Sequence, residues 1–328
     1  MIYQNEIGGH REGYAATISE ITGLKIYQSK NPILDLRTLI QQKIVINICI
    51  EDGVISFFII SLIRAFLQKK TIGLMMSPWD CYRENKTTDI FRRNAFILLK
   101  KFSHVQTICI VPFDVDARYK NIADYWIYDP EFWDMNVFKD RQTLLEEINE
   151  YNNAESQKIN LLYFGHISED KGFNFLARIF LNNKRLFSKF DLSIVGKIPN
   201  SYASKVAKLR ESGANIIDNY VSDEYMLKLI MNSSILWCCY SQKYDASSGI
   251  FGRAIQFNKL PIIRKNSRLE KLAGILEKQV SSIEFENEDD AILALENIEK
   301  KLKTSQKKID TYKLYSNARK VLDKCMST

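Results

Sequence analysis

Short runs rich in Ile and Val alternate along the chain with longer segments whose apolar residues recur at helical spacing. That is the pattern of a parallel sheet joined by crossover helices. In the first half, the opening MIYQ and the runs at residues 24–28, 44–50, 71–76, 106–111 and 125–128 read as strands, with helices at 54–67 and 90–102. A polar stretch, EEINEYNNAESQK, then interrupts the pattern, and residues 152–156 are the expected hinge. The alternation restarts with strands at 159–164, 191–195, 215–218, 234–239 and 260–264. Glu284, Glu286, Glu288, Asp289 and Asp290 precede the apolar-periodic AILALENIEKKL, and acids there suit a helix N-terminus. The expectation is an α/β protein of two Rossmann-like domains, residues 1–152 and 153–328, facing a central cleft that holds a ligand.

Composition narrows the class without naming it. The chain of 328 residues is 46% hydrophobic, 26% charged and 12% aromatic, which excludes disordered, collagen-like and disulfide-scaffold proteins. No basic start followed by an apolar stretch marks a signal peptide, and the most apolar segment, 54–63, is too short to cross a bilayer. A cytoplasmic protein is expected. Cys49, Cys109, Cys238 and Cys239 lie in apolar runs, and no CxxC pair exists, so the six cysteines read as reduced residues of the core. With only His10, His104 and His166 to join them, no metal is expected.

The net charge of +7 is local. From Lys300 onward nine Lys and Arg stand against Asp310 and Asp323, so the remainder of the chain is neutral. Residues 300–324 read as one basic helix, the preferred interpretation being a solvated surface helix packed on the body. Attraction to anionic lipid at the inner face of a membrane is the alternative, and no nucleic-acid partner is expected.

The second half carries the chemistry. Strand LLYF runs into GHISEDKG, which places Gly165, His166, Lys171 and Gly172 at a strand end, where glycine admits a ligand close to the backbone and Lys171 adds a cation. DLSIVG ends the same way, at Gly196 and Lys197. Strand SILWCCY, loop SQKYDASSG and helix GIFGRAIQF then bring Ser247, Ser248 and Gly249 to a helix start, where they either simply cap it or offer amides to an anion. Capping alone does not account for Asp245, Lys171 and Arg253 being directed to the same sheet edge.

The stretches YFGHISEDKG, FDLSIVG, ANIIDNYVSDEYMLKLIMNSSILWCCY and DASSGIFGRAIQFNKLPII resemble family 4 glycosyltransferases, retaining nucleotide-sugar enzymes of the GT-B fold. The resemblance covers residues 159–272 well and the first half loosely. It implies that Ser248 and Gly249 hold the donor phosphates through their amides, and that the C-terminal helix crosses back. The family's two donor-site glutamates fall on Asp245 and Arg253, eight positions apart, and its phosphate-clamping arginine falls on His166, while its lysine is kept as Lys171. Asp245 keeps a carboxylate for sugar hydroxyls. Arg253 can only donate, and is expected to hold a phosphate in place of the missing arginine or to pair with a nearby acid.

In the first half, EIGGHREGY resembles the family's Gly-Gly loop beside the reacting centre, which implies that Gly9 admits the acceptor side and that His10 or Arg11 faces the cleft. Read from the residues alone, Gly-Gly is a turn and His10 a surface histidine. The family's later histidine is absent from GLMMSPWDCY, leaving Ser77 and Asp80 as acceptor-side candidates beside Asp129 of DYWIYDPEFW. Trp126, Tyr128, Phe132 and Trp133 suit either sugar stacking or a core.

The function that this resemblance implies is transfer of a hexose from a nucleotide diphosphate sugar to a hydroxyl acceptor, a glycan or lipid-linked glycan of a bacterial surface polysaccharide, with retention. The nucleotide sugar is then a substrate, and no cofactor is expected. A non-catalytic protein of the same fold and a nucleotide-sugar epimerase are the alternatives.

Overall fold

The computed structural model describes residues 1–4, 10–29, 35–83, 87–138, 157–304 and 307–327. It divides into two compact units, Met1–Val137 with Asp310–Thr328, and Phe138–Ile309. The expected domain boundary and the hinge at residues 152–156 lie outside the described residues.

In the first unit β1 (Ile2–Gln4), α1 (His10–Thr22), β2 (Ile26–Gln28), α2 (Leu36–Gln41) and β3 (Ile44–Ile48) are followed by α3 (Val54–Phe66), β4 (Lys70–Met75), α4 (Thr87–Leu99), β5 (Val105–Cys109) and β6 (Tyr125–Trp126). The strands form one sheet in the order β2-β1-β3-β4-β5-β6, all pairs parallel. Strand β4 is buried along its whole length, as a parallel strand covered on both faces must be, hence its lack of alternation in sequence.

The second unit repeats the plan. It runs β7 (Ile159–Phe164), α5 (Phe173–Asn182), α6 (Leu186–Lys189), β8 (Phe190–Val195), α7 (Ala203–Glu211), β9 (Asn215–Ile217), α8 (Asp223–Asn232) and β10 (Ile235–Cys238). It continues with α9 (Gly249–Gln256), β11 (Leu260–Arg264), α10 (Arg268–Ile275), β12 (Ser281–Ile283), α11 (Glu288–Glu296) and α12 (Ile298–Lys303). Its parallel sheet has the order β12-β11-β10-β7-β8-β9. Phe173, Leu176, Ala177 and Phe180 follow helical spacing and bury one face of α5 in the core of this unit. Ser222, Ser267 and Asn287 cap α8, α10 and α11, and Glu288, Asp289 and Asp290 fill the first turn of α11 as expected.

Two elements differ from the sequence expectation. Strand β12 is only three residues long and carries two serines, too short and too polar for periodicity to mark it. The basic segment from Lys300 is two helices rather than one: α12 belongs to the second unit, whereas α13 (Thr311–Ser327) crosses back to the first. Asp310 starts the new helix, its Oδ1 accepting from Lys313 N at 3.0 Å. Leu314, Ala318, Leu322 and Cys325 bury one face of α13, and Tyr315 packs on the buried Trp133.

Helix α3 carries a single charged residue, Arg64, and it points inward with no exposure. Its guanidinium donates to Thr71 Oγ1 at 2.9 Å, to Lys70 O at 2.6 Å, to Gln42 O at 3.0 Å and to Leu39 O, tying α2 and β4 to α3. Burial lowers its pKa to about 10, so it remains a cation at neutral pH. Arg64→Met leaves several of these buried acceptors without a donor and is expected to cost about 3 kcal/mol, read as a lower urea midpoint at unchanged slope.

Candidate functional site

Strand order reverses at β7: β8 and β9 lie to one side of it, and β10, β11 and β12 to the other. In an open parallel sheet the crevice at such a point lies beyond the carboxyl ends of the two diverging strands. Here those ends are the turn at 165–172, after β7, and the loop at 239–248, after β10, the segments that the sequence singled out.

Glycine lets these segments meet. Gly165, Gly172 and Gly196 have φ of +114°, +74° and +146°, in the left-handed region that side chains disfavour. A Cβ on Gly196 would stand 1.9 Å from Gly165 O, and one on Gly172 would stand 2.1 Å from Cys239 O. Ser241 fastens the turn to the loop, its amide donating to Asp170 O at 2.9 Å and its hydroxyl to Asp170 Oδ1 at 3.3 Å. This holds Lys171, whose ammonium lies 3.2 Å from the Cβ position of Gly165 and 5.9 Å from the centre of the Tyr244 ring.

Asp245 lies next in the loop, and its carboxylate is shared by two arginines. Arg264 Nη2 approaches Oδ1 at 2.9 Å; Arg268 gives its backbone N to Oδ1 at 2.9 Å and Nη1 to Oδ2 at 3.2 Å. With Cys238, Tyr240, Tyr244, Ser267 and Leu269, Asp245 and Arg264 line one small cavity. Neither arginine was singled out in the sequence, although Arg264 ends a recognised strand and Arg268 opens the following helix. Buried Ser248 caps α9, accepting from Phe251 N at 3.3 Å and sharing a 2.8 Å hydrogen bond with Tyr240 Oη. Gly249 and Ile250, next to the cap, are the first amides of α9, positions without an intrahelical acceptor.

The other predicted residues of this unit are placed less centrally. Arg253 is buried on α9, where Nη1 donates to Gln256 Oε1 at 3.2 Å. His166 is exposed, and its carbonyl accepts from Tyr163 Oη at 3.3 Å. Lys197, also exposed, pairs with Asp218 at 3.4 Å; Ser247 is half-buried ahead of the cap.

The first sheet reverses between β1 and β3. Gly9 lies outside the described residues, and His10 opens α1 at the carboxyl end of β1. Beyond β3 stands a group that sequence reasoning missed. Glu51 is 3% exposed; its Oε1 accepts from Met76 N at 2.8 Å and Ser77 N at 2.5 Å, while its Oε2 makes no hydrogen bond among the described residues. Burial raises its pKa to about 7. Its position, an acid directly after the apolar run INICI, was the available signal. Beside it Asp52 pairs with Arg11 at 2.5 Å.

Ser77 therefore serves Glu51 through its amide, and Asp80 pairs with Arg83 at 2.5 Å, its pKa raised by burial. Asp129 is buried and accepts from Tyr14 Oη at 2.8 Å and Glu131 N at 3.0 Å, a structural arrangement. Of the aromatic patch, Phe132 and Trp133 are core residues, whereas Trp126 is half-buried, edge-on to Tyr128 at 5.2 Å.

No family model matches the sequence, and no curated protein matches it significantly. Solved structures do match by shape. Anabaena HepE in complex with UDP-glucose aligns with a TM-score of 0.62 at 12% identity, over 98% of this chain and 99% of that one. An E. coli trehalose-6-phosphate protein bound with UDP-2-fluoro glucose gives 0.56 at 9% identity, over 99% and 95%. A putative UDP-N-acetylglucosamine 2-epimerase from Listeria monocytogenes gives 0.53 at 11% identity, over 96% and 85%. The fold is that of the GT-B proteins.

Two substitutions test these sites. Gly172→Ala places a methyl group against a backbone carbonyl at positive φ and is expected to cost about 2 kcal/mol or more in thermal unfolding. For Glu51 the folded pKa, about 7, lies above the ordinary 4.5. Between these values the folded chain keeps a proton that the unfolded chain has lost, so stability falls as pH rises through the window, by on the order of 3 kcal/mol in all. Glu51→Gln keeps the Oε1 acceptor and is expected to flatten that slope in denaturation series across the window.

Proposed function

We propose that this protein transfers a hexose from a nucleoside diphosphate sugar to a hydroxyl of a glycan or lipid-linked glycan, with retention at C1. The observation that carries this reading is the gathering of Lys171, the close-approach glycines and the start of α9 at the β7/β10 reversal. Such a place suits a diphosphate: bare backbone admits it, helix amides point at it, and cations offset its charge.

The bond from C1 to the diphosphate oxygen breaks, the bond from the acceptor oxygen to C1 forms, and the acceptor proton leaves with the diphosphate. Negative charge grows on the leaving group, so catalysis consists chiefly of holding that charge. Lys171 and the amides of Gly249 and Ile250 do so from the turn and the helix start. Arg264 and Arg268 converge on the Asp245 carboxylate and bring two guanidiniums to the same edge. Asp245 acts by fixing these guanidiniums, and Arg253 supports α9 from within.

UDP-sugars are the first donors to test, because UDP or a UDP-sugar occupies several of the matching structures. The epimerase among them supports a second reading, in which the donor sugar itself is inverted. Incubation with donor alone separates the two: an epimer forms only under the second. The basic residues 300–324 are divided between two units, which weakens the case for one continuous lipid-binding stripe.

At about 100 times its dissociation constant a donor is expected to stabilise the protein by about 2.7 kcal/mol. Lys171→Ala is expected to abolish that shift and lower turnover at least tenfold, since loss of one such donor group raises a barrier by about 3 kcal/mol. Near-wild-type turnover in this variant overturns the site assignment.

A further inference from the structure

The aromatic patch after β5 divides between two fates. Phe132 and Trp133 are core, but Tyr125, Trp126 and Tyr128 are half-buried and line an open groove of 410 Å³. Sites for small molecules span roughly 300–1,000 Å³ and are walled mainly by apolar and aromatic groups. Strand β6 forms one wall; it is the outermost strand of its sheet, three strands beyond β3 and so away from the reversal. Helix α13 forms the other wall through Leu314, Ala318 and Val321. Four polar tips border this groove uncommitted: Trp126 Nε1, Tyr128 Oη, the Asn317 amide and the Lys320 ammonium make no side-chain hydrogen bond or ion pair among the described residues. Asp124 Oδ2 accepts from Thr107 N at 2.8 Å and Thr107 Oγ1 at 3.3 Å, whereas Oδ1 meets only Lys100 Nζ, at 3.8 Å.

We propose that this groove is a carbohydrate site, which binds a neutral hexose unit of an oligosaccharide at the edge of the first sheet. A pyranose ring has apolar C–H faces and a border of hydroxyls that both donate and accept. Aromatic and aliphatic walls meet the faces. For the hydroxyls, Trp126 Nε1 and Lys320 donate, Asp124 Oδ1 accepts, and Asn317 and Tyr128 do both. Charges of both signs stand around the groove, so none selects an anion. Lys320 and Lys324, the latter 4.9 Å from the centre of the Tyr125 ring, face Asp124 and the exposed Asp114, whose charge adds to burial in raising the Tyr128 pKa. A nucleotide also lacks its cradle, because no glycine lines the groove and α13 borders it only from Leu314, beyond its first three residues. A lipid chain would desolvate the polar tips without partnering them. Strand β6 is two residues long, too short to template an added peptide strand. The site uses no residue of the second unit, so the inference is independent of sugar transfer.

Calorimetric titration of the intact protein with neutral tetrasaccharides of glucose, galactose, mannose and N-acetylglucosamine, against tetragalacturonate, tests it. Saturable binding of at least one neutral probe is expected, at least tenfold weaker in Trp126→Ala and severalfold weaker in Asn317→Ala/Lys320→Ala. Asn317 and Lys320 are exposed, so the double variant is expected to keep its melting temperature, which separates lost binding from lost fold. Lys171→Ala is expected to bind the same probe as the wild type does, which separates the groove from the donor site. No saturable binding of any neutral probe, or unchanged affinity in both groove variants, overturns the proposal. So does a preference for tetragalacturonate over every neutral probe, which makes the groove a site for anions.

Discussion

The second unit depends on backbones meeting where no side chain fits. Gly196 and Gly165 close the ends of β8 and β7 upon each other, and Gly172 presses the following turn onto Cys239 at the end of β10. A Cβ at either Gly196 or Gly172 would fall about 2 Å from a carbonyl oxygen, inside any tolerable contact. The three strand ends are thereby gathered around one point. Lys171 lies between two of these constraints, so its ammonium is directed by backbone geometry as well as by its own rotamer. Preorganisation of this kind spares the site much of the ordering that a flexible lysine would otherwise undergo on binding an anion.

The two units use their sheet reversals with opposite chemistry. In the second, two guanidiniums, Arg264 and Arg268, converge on the Asp245 carboxylate beside the Lys171 turn. In the first, the central group is an acid withdrawn from water, braced by the amides of Met76 and Ser77 and perturbed by desolvation. One environment is suited to holding negative charge; the other, to exchanging a proton near neutral pH. Both follow from strand ends that converge where the chain changes direction across the sheet.

Much of the architecture was legible because buried parallel strands and amphipathic crossovers leave distinct periodicities. The positions of Gly165, Lys171, Gly196 and Ser248 at strand ends and a helix start could be read because local pattern marks such places. Arg264, Arg268 and Glu51 were less visible, since their meaning lies in partners distant in sequence: Asp245 is 23 positions from Arg268, and Ser77 is 26 from Glu51. The partner of Asp129 was hidden for the same reason, since Tyr14 stands 115 residues away. The basic tail read as a single helix because its charge is continuous, while the break depends on one capping aspartate, Asp310. Strand β12 has too few residues to show any period.

Helix α13 gives the first unit a discontinuous chain. Its buried face, Leu314, Ala318, Leu322 and Cys325, belongs to a body whose other residues end at Val137, and all of the second unit is encoded between them. In a chain made from the N-terminus, the residues of α13 are therefore added only after all of those of the second unit. The first unit, although begun earlier, has a core face whose cover is encoded only after the whole of the second unit.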